Sequence, residues 1–295
     1  MSRSKIQHII IFSQLLIAFF GFVSSAKALT VYVDQPKGVV RAGDTVLVKV
    51  VVDTGDKEIN AVEGSIRLSD NVKIRGVETG GSVFSMWPVY PAYQNGVIHF
   101  AGGTPSGVFG NRIHIFSFAV TSVTTGEVTS HVYDASVYLA DGKGTRVNVE
   151  TRDSSFIINE TSTSQRDDFT SLQKNDTTPP EKFIIEYTKD PSVYGGKAFI
   201  SFGTTDKDSG VNRYEVTENG VVYTVNNGVY VLQDENNLPN IIVTAVDSAG
   251  NKRSVVHSVT SPDRTYAGIL ILVVIIFIIY YFYNRRKRYH APTEI

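Results

Sequence analysis

The sequence predicts an all-β protein in which two sandwiches of unequal size lie between an apolar leader and one apolar helix. Three observations predict it. "DTVLVKVVVD" (44–53) alternates with a period of two. "ENG" (218–220) and "NNG" (226–228) break β-branched runs as hairpin turns do, because Asn and Gly accept the positive φ of a tight turn. No dozen-residue window of residues 29–158 carries a helical stripe.

Residues 1–28 read as a signal peptide. Arg3 and Lys5 precede the almost wholly apolar stretch Ile9–Val23, and Ala26-Lys27-Ala28 forms a small-x-small cleavage site, so Leu29 begins the mature chain.

The first module spans 29–158. In "DTVLVKVVVD", Val46, Val48, Val50 and Val52 are expected to face the core, with Thr45, Leu47, Lys49, Val51 and Asp53 opposite. "GSIRLS", "GVIHFA", "RIHIFSFAV", "EVTSHVYDASVYLA" and "TRVNVE" follow as further strands, separated by Gly, Asn, Asp and Ser clusters. Short β-branched and aromatic strands at this spacing argue for an antiparallel sandwich.

Residues 159–180 have only Phe169 and Leu172 as large apolar side chains and are expected to form a solvated linker rich in Ser and Thr. Asn159-Glu160-Thr161 and Asn175-Asp176-Thr177 match the glycosylation acceptor pattern. The second module, 181–260, repeats the strand grammar with turns at "DKDSG", "ENG" and "NNG", and closes on a hairpin around Asp247–Asn251.

After the spacer "SPDRT", Tyr266–Tyr283 contains no charge, carries tyrosines at both edges, and is followed by Arg285, Arg286, Lys287 and Arg288. That pattern predicts a transmembrane helix at 266–283 and a basic cytoplasmic tail at 284–295, hence a single-pass plasma-membrane protein with its ectodomain outside. The chain has 28 basic and 29 acidic residues. Setting aside Arg3, Lys5, Lys27, the four tail bases and Glu294 leaves 21 against 28, an ectodomain with about seven net negative charges. Nucleic acid is therefore disfavoured as a partner. The absence of cysteine excludes thiol catalysis and thiolate metal sites, and leaves stability to the cores.

Candidate sites mostly resolve into ordinary structure. "FAGGTPSGVFG" (100–110) is glycine-rich, but "NRIHIFSFAV" follows it where a phosphate cradle needs a helix and a Lys-Ser/Thr pair, so it reads as a strand-connecting loop. Asp206-Lys207-Asp208-Ser209-Gly210 opens like a calcium loop, yet Thr217 stands where an EF-hand needs a bidentate Glu, so it reads as a polar turn. The histidines show no zinc spacing and no G-x-S-x-G elbow occurs. Paired carboxylates for glycoside cleavage are a spatial matter on which spacing is silent. Neither a metal nor a cofactor is expected. Trp87, Tyr90 and Tyr93, held in an extended loop by Pro88 and Pro91, have two readings. They pack the core and its edge, or they form a glycan-stacking platform.

Two resemblances add to this. "RAGDTVLVKV", "TGDKEINAVEGSIRLS", "GSVFSMWPVYP", "GVIHFAGGTPSGVFG" and "VYLADGKGTRV" resemble, in this order, the motifs of bacterial cohesin modules and their carbohydrate-binding-module relatives, in a membrane-anchored form. The resemblance implies a nine-stranded jelly-roll β-sandwich and a non-catalytic receptor. Its implied partner is a dockerin, a small calcium-loaded module on another exported protein, often one that degrades polysaccharide. It also implies that contacts fall on one exposed sheet face. Alternation on "NAVEGSIRLS" turns Ile66 and Leu68 inward and leaves Glu63, Ser65 and Arg67 outward. On "GVIHFA", Ile98 and Phe100 go in and His99 goes out. Glu63, Ser65, Arg67 and His99 are the expected partner-binding residues, with a polysaccharide bound to the same fold as the alternative. In the second module, Asp208-Ser209-Gly210-Val211 with Tyr214 and Val216, and Ala245-x-Asp247-x-Ala249-Gly250-Asn251, resemble immunoglobulin-like or fibronectin-like repeats of bacterial surface proteins. That resemblance implies a smaller immunoglobulin-like β-sandwich serving as spacer or adhesive stalk.

Overall fold

A computed structural model describes residues 28–160, 165–234 and 241–257. The expected transmembrane helix, the tail and all of the leader but Ala28 lie outside them. Among the described residues no helix is long and apolar enough to cross a membrane.

The first module is a sandwich of two sheets. One runs β11(Glu150–Arg152)-β1(Thr30–Val33)-β3(Thr45–Asp53)-β8(Ile113–Ser122)-β5(Val72–Glu78). The other runs β2(Val40–Arg41)-β12(Ser154–Asn159)-β9(Gly126–Leu139)-β4(Ile59–Leu68)-β7(Val97–Val108)-β6(Met86–Gln94), with β10(Arg146–Val147) paired to β9. Pairing is antiparallel except where β1 meets β11 and β2 meets β12. Val46, Val48, Val50 and Val52 are fully buried, as the period of two requires, against Ile66, Ile98, Phe100, Phe116 and Phe118. The short β2, β10 and β11 bring the strands beyond the nine implied by resemblance.

Two expectations are corrected here. The glycine-rich stretch is no free loop: β7 continues through Gly102, Gly103 and Gly107 to Val108. Its glycines make room. A Cβ on Gly102 would fall 2.5 Å from Cε3 of Trp87, and one on Gly103 would fall 2.8 Å from the Asn60 carbonyl oxygen. The second correction concerns the linker, part of which is ordered against the first module. Asp167 caps an eight-residue helix α1(Asp168–Asn175), its Oδ1 accepting from the Thr170 amide at 2.9 Å. Phe169 covers Gly76, where a Cβ would come within 2.8 Å of its ring. One aromatic side chain and a cap suffice because the sandwich supplies the opposing surface.

The second module also has two sheets: β13(Ile185–Lys189)-β14(Ala198–Phe202)-β17(Val229–Val231), and β16(Val221–Val225)-β15(Val211–Glu218)-β18(Ile241–Asp247)-β19(Lys252–His257). Asn219 and Gly220 take φ of 51° and 78° in the β15–β16 turn, the conformation the Asn-Gly pair predicts. Its core holds Ile200, Phe202, Tyr214, Val216, Ile241, Val243 and Ala245. The Tyr214 hydroxyl accepts from the Thr204 amide at 3.0 Å, satisfying a buried polar group beside that core.

The modules meet at the loop after β5. The Gly81 amide donates to the Asp206 carbonyl at 2.9 Å, and the Tyr90 hydroxyl to the Val211 carbonyl at 3.3 Å. A Cβ on Gly203 would fall 2.6 Å from the Ser85 carbonyl oxygen, so backbone packs on backbone across the junction.

Candidate partner-binding face

Strands β9, β4, β7 and β6 present one continuous outer face of the larger sheet. Their inner side chains, Val62, Ile66, Ile98, Phe100, Val132 and Val137, are buried in the sandwich, so their alternate neighbours point outward. All four expected residues come together there. Ser65 pairs directly with His99, and its Oγ lies 3.0 Å from Nδ1 of that ring. Glu63 accepts from the Tyr138 hydroxyl at 2.8 Å. Arg67 stands over the Tyr133 ring at 5.9 Å. The His131 ring stacks on Tyr133 at 5.8 Å, and its Nδ1 lies 2.6 Å from Asp153 Oδ1.

Tyr133, Tyr138 and His131 were not singled out from the sequence. Alternation in "EVTSHVYDASVYLA" does place His131 and Tyr133 on one side, but a bulge then shifts the register. Between Glu63 and Ser65 on β4, the partner moves from Ser136 to Tyr133 on β9, and Asp134 in the extra position takes φ of 52°. A strict period of two therefore puts Tyr133 and Tyr138 on opposite faces, whereas the bulge places both outside.

Next to Glu63 the face deepens into a groove of about 540 Å³ between Met86, Pro88, Pro105 and Tyr138, with Glu186 of the second module on its rim. Arg146 pairs opposite Tyr138 and sits beside it. The hydrogen bond to Glu63 raises the Tyr138 pKa, because ionising the phenol would break it against a carboxylate.

The glycan-stacking trio is not assembled. Trp87 is only 7% exposed and meets Phe84, Tyr90 and Phe116 edge-on at 5.9, 6.2 and 6.3 Å. Tyr90 turns its hydroxyl to the module junction, and only Tyr93 is exposed. The "MWPVYPAY" segment is the edge strand β6 where an extended loop was expected. Pro88 and Pro91 are tolerated because β6 pairs on one side only and its register shifts twice.

The "DKDSG" turn sits at the junction. Asp206 Oδ1 accepts from the amides of Asp208 and Gly210 at 3.0 and 2.8 Å. Its carboxylate, with those of Asp176 and Asp247, forms a buried group whose oxygens lie within 4.8 Å of one another. Asp176 accepts from Thr178 and Ser209, and Asp247 from the backbone and side chain of Asn251. Together they cap three loop segments. Burial is the main cause that raises the pKa of Asp206, with repulsion from Asp176 and Asp247 adding to it.

Chemically, the outer face offers paired hydrogen-bonding groups and aromatic rings on a rigid sheet. Among the described residues no carboxylate bonds the His99 ring to complete a relay behind Ser65.

No protein-family model and no curated protein matches the chain. Solved structures do. The likeness is to cohesin modules. A non-cellulosomal cohesin from the hyperthermophilic archaeon Archaeoglobus fulgidus is 16% identical over 46% of this chain and 93% of its own, at a TM-score of 0.38. A type I cohesin from Clostridium thermocellum, solved as a cohesin–dockerin complex, is 16% identical over 47% of this chain and 99% of its own, at 0.38. The cohesin module of a Clostridium perfringens family 33 glycoside hydrolase is 13% identical over 45% and 100%, at 0.37.

Proposed function

We propose that this chain is a non-catalytic, cohesin-like receptor that captures an exported, dockerin-type partner on the outer face of its larger sheet. The observation that carries this is the convergence of Glu63, Ser65, Arg67 and His99 on that face, with Tyr133 and Tyr138 beside them. Rigid sheet positions, aromatic rings and an arginine are what a protein–protein contact concentrates. The motif series in the first module supports the choice of partner, and a link to polysaccharide breakdown follows from what dockerin-bearing proteins commonly do. The leader at 1–28 and the apolar segment at 266–283 support display at the cell surface by a single membrane anchor, with the second module, read as an immunoglobulin-like spacer, between face and membrane.

The test is capture from the secreted proteins of the same source by the full chain in mild detergent, with and without a calcium chelator. The expected result is retention of a small calcium-dependent module, lost on chelation and lost in the double variant Glu63→Lys, Arg67→Glu. Retention of glycans alone, indifferent to chelator, would overturn the proposal.

A further inference from the structure

The junction between the modules encloses a carboxyl group that no role described so far uses. Glu78 ends β5 and is 1% exposed. Its Oε1 accepts from the Gly80 amide at 3.1 Å, while Oε2 meets no hydrogen-bond geometry with any of the described residues. Hydrogen bonds from the Gly80 and Thr79 backbone and the Gln173 side chain favour the ionised form, but the cost of burying the charge outweighs them, so the neutral acid is the form this site accepts.

The second module seals it. A Cβ on Gly210 would collide with Glu78 Oε1 and fall 2.5 Å from the Gly80 nitrogen and 2.6 Å from Thr79 Oγ1. A Cβ on Gly80 would fall 2.8 Å from the Asp208 carbonyl carbon. Two glycines thus let the backbones of the 78–81 loop and the 206–211 turn interlock directly over the carboxyl. The titratable groups acting on it are Asp206, from that turn, and Tyr90, from β6, whose hydroxyl burial pushes up to about 12. The helix α1 contributes Gln173, whose side chain hydrogen-bonds the carboxyl and works against the lift. Lys73 and Arg75, on its own strand, are exposed, and His114 of β8 is turned to the Gly81 carbonyl.

We propose that Glu78 is a proton-operated latch: neutral, it lets the 206–211 turn close over it and dock the modules, and ionised, it drives that turn away. Loss of water on burial lifts this carboxyl from 4.5 to about 8, and the Asp206 charge adds to the lift. For an acid whose docked pKa is raised, docking is strongest below the undocked pKa of 4.5. Above it the open form releases the proton and the closed form keeps it. The opening constant therefore rises about tenfold per pH unit between 4.5 and about 8, then levels off. Opening would also withdraw Glu186 from the groove beside Glu63. That consequence rests on the partner reading above; the latch does not.

The chain lacks cysteine, so Lys143→Cys in the first module and Asn226→Cys in the second, both at exposed positions, can carry a fluorescent donor and acceptor on the full chain in detergent. Energy transfer is read from pH 5 to pH 9.5. The expected result is a reversible change that begins well above pH 5 and is complete near pH 9, absent in Glu78→Gln. Asp206→Asn, which relieves the repulsion on the ionised acid in the docked form, is expected to lessen the opening reached at alkaline pH, and serves if Glu78→Gln does not fold. Unchanged transfer across the range, or the same change in Glu78→Gln, would overturn the latch. The reading uses no partner, so failure of partner capture leaves this test intact.

Discussion

The indole of Trp87 occupies the space where a side chain on Gly102 would begin: a Cβ there would sit 2.5 Å from Cε3 of the ring and 3.0 Å from Cδ2 of Phe84. Strand β7 runs under the only tryptophan of the chain, and its glycine is a packing requirement of the sandwich. Gly102→Ala is therefore expected to destabilise by about 1–3 kcal/mol through overpacking, with strand content retained. Chemical denaturation followed by Trp87 emission measures this, and an unchanged midpoint would contradict the packing described.

The same burial predicts how Trp87 responds to ligands. Its emission should be that of a buried indole and should not shift on adding oligosaccharide, because the ring is 7% exposed and packed in T-shaped contacts with Phe84, Tyr90 and Phe116. A saturable shift would restore the stacking platform that the fold does not assemble.

On the outer face, stability and capture should separate. Arg67 and His99 are exposed, and Arg67→Ala or His99→Ala should change unfolding free energy by no more than about 0.5 kcal/mol. Capture of the partner should fall by tenfold or more in at least one of them, read by surface plasmon resonance against the recovered partner. Ser65→Ala differs, since Ser65 is buried and bonded to the His99 ring, so it should cost about 1 kcal/mol of stability as well.

His114 gives a second, opposite pH dependence. Its ring is held between the Gly81 carbonyl, 3.1 Å from Nδ1, and Ser117 Oγ, 2.9 Å from Nε2. Burial is the main cause that lowers its pKa from 6.5. A base whose folded pKa is depressed contributes stability that is fully present above its unfolded pKa, here 6.5, and is lost as pH falls through the folded value. The thermal midpoint of the first module should therefore drop as pH falls from 6.5, and the drop should be smaller in His114→Gln, as scanning calorimetry would show.

Phe169 tests whether the 165–180 segment belongs to the first module. It covers Gly76 and is half-buried, so Phe169→Ala should cost about 2 kcal/mol, roughly half of a full aromatic truncation. Limited proteolysis should then cut within α1, where the parent chain resists.

The amino-acid sequence by itself determined most of the strands and, where they run without a bulge, which side faces the core; it did not show β6 or the far half of β7. Val46, Val48, Val50 and Val52 announce their common face by alternation, and the Asn219-Gly220 turn by its backbone tolerance, both properties of neighbours along the chain. It also determined that Glu63, Ser65, Arg67 and His99 share the outer side of the sheet, although Ser65, bonded to the His99 ring, is buried there. Only the tertiary structure decided what joins them. Tyr133 and Tyr138 share that face because of a bulge at Asp134, a defect of pairing between β4 and β9 that neither strand shows alone. The linker helix ordered because a sandwich surface lay opposite Phe169, and Glu78 lost its water because Gly80 and Gly210 met across the junction. Periodicity is local and can be read from a list of residues, whereas burial depends on segments far apart in sequence closing on the same space.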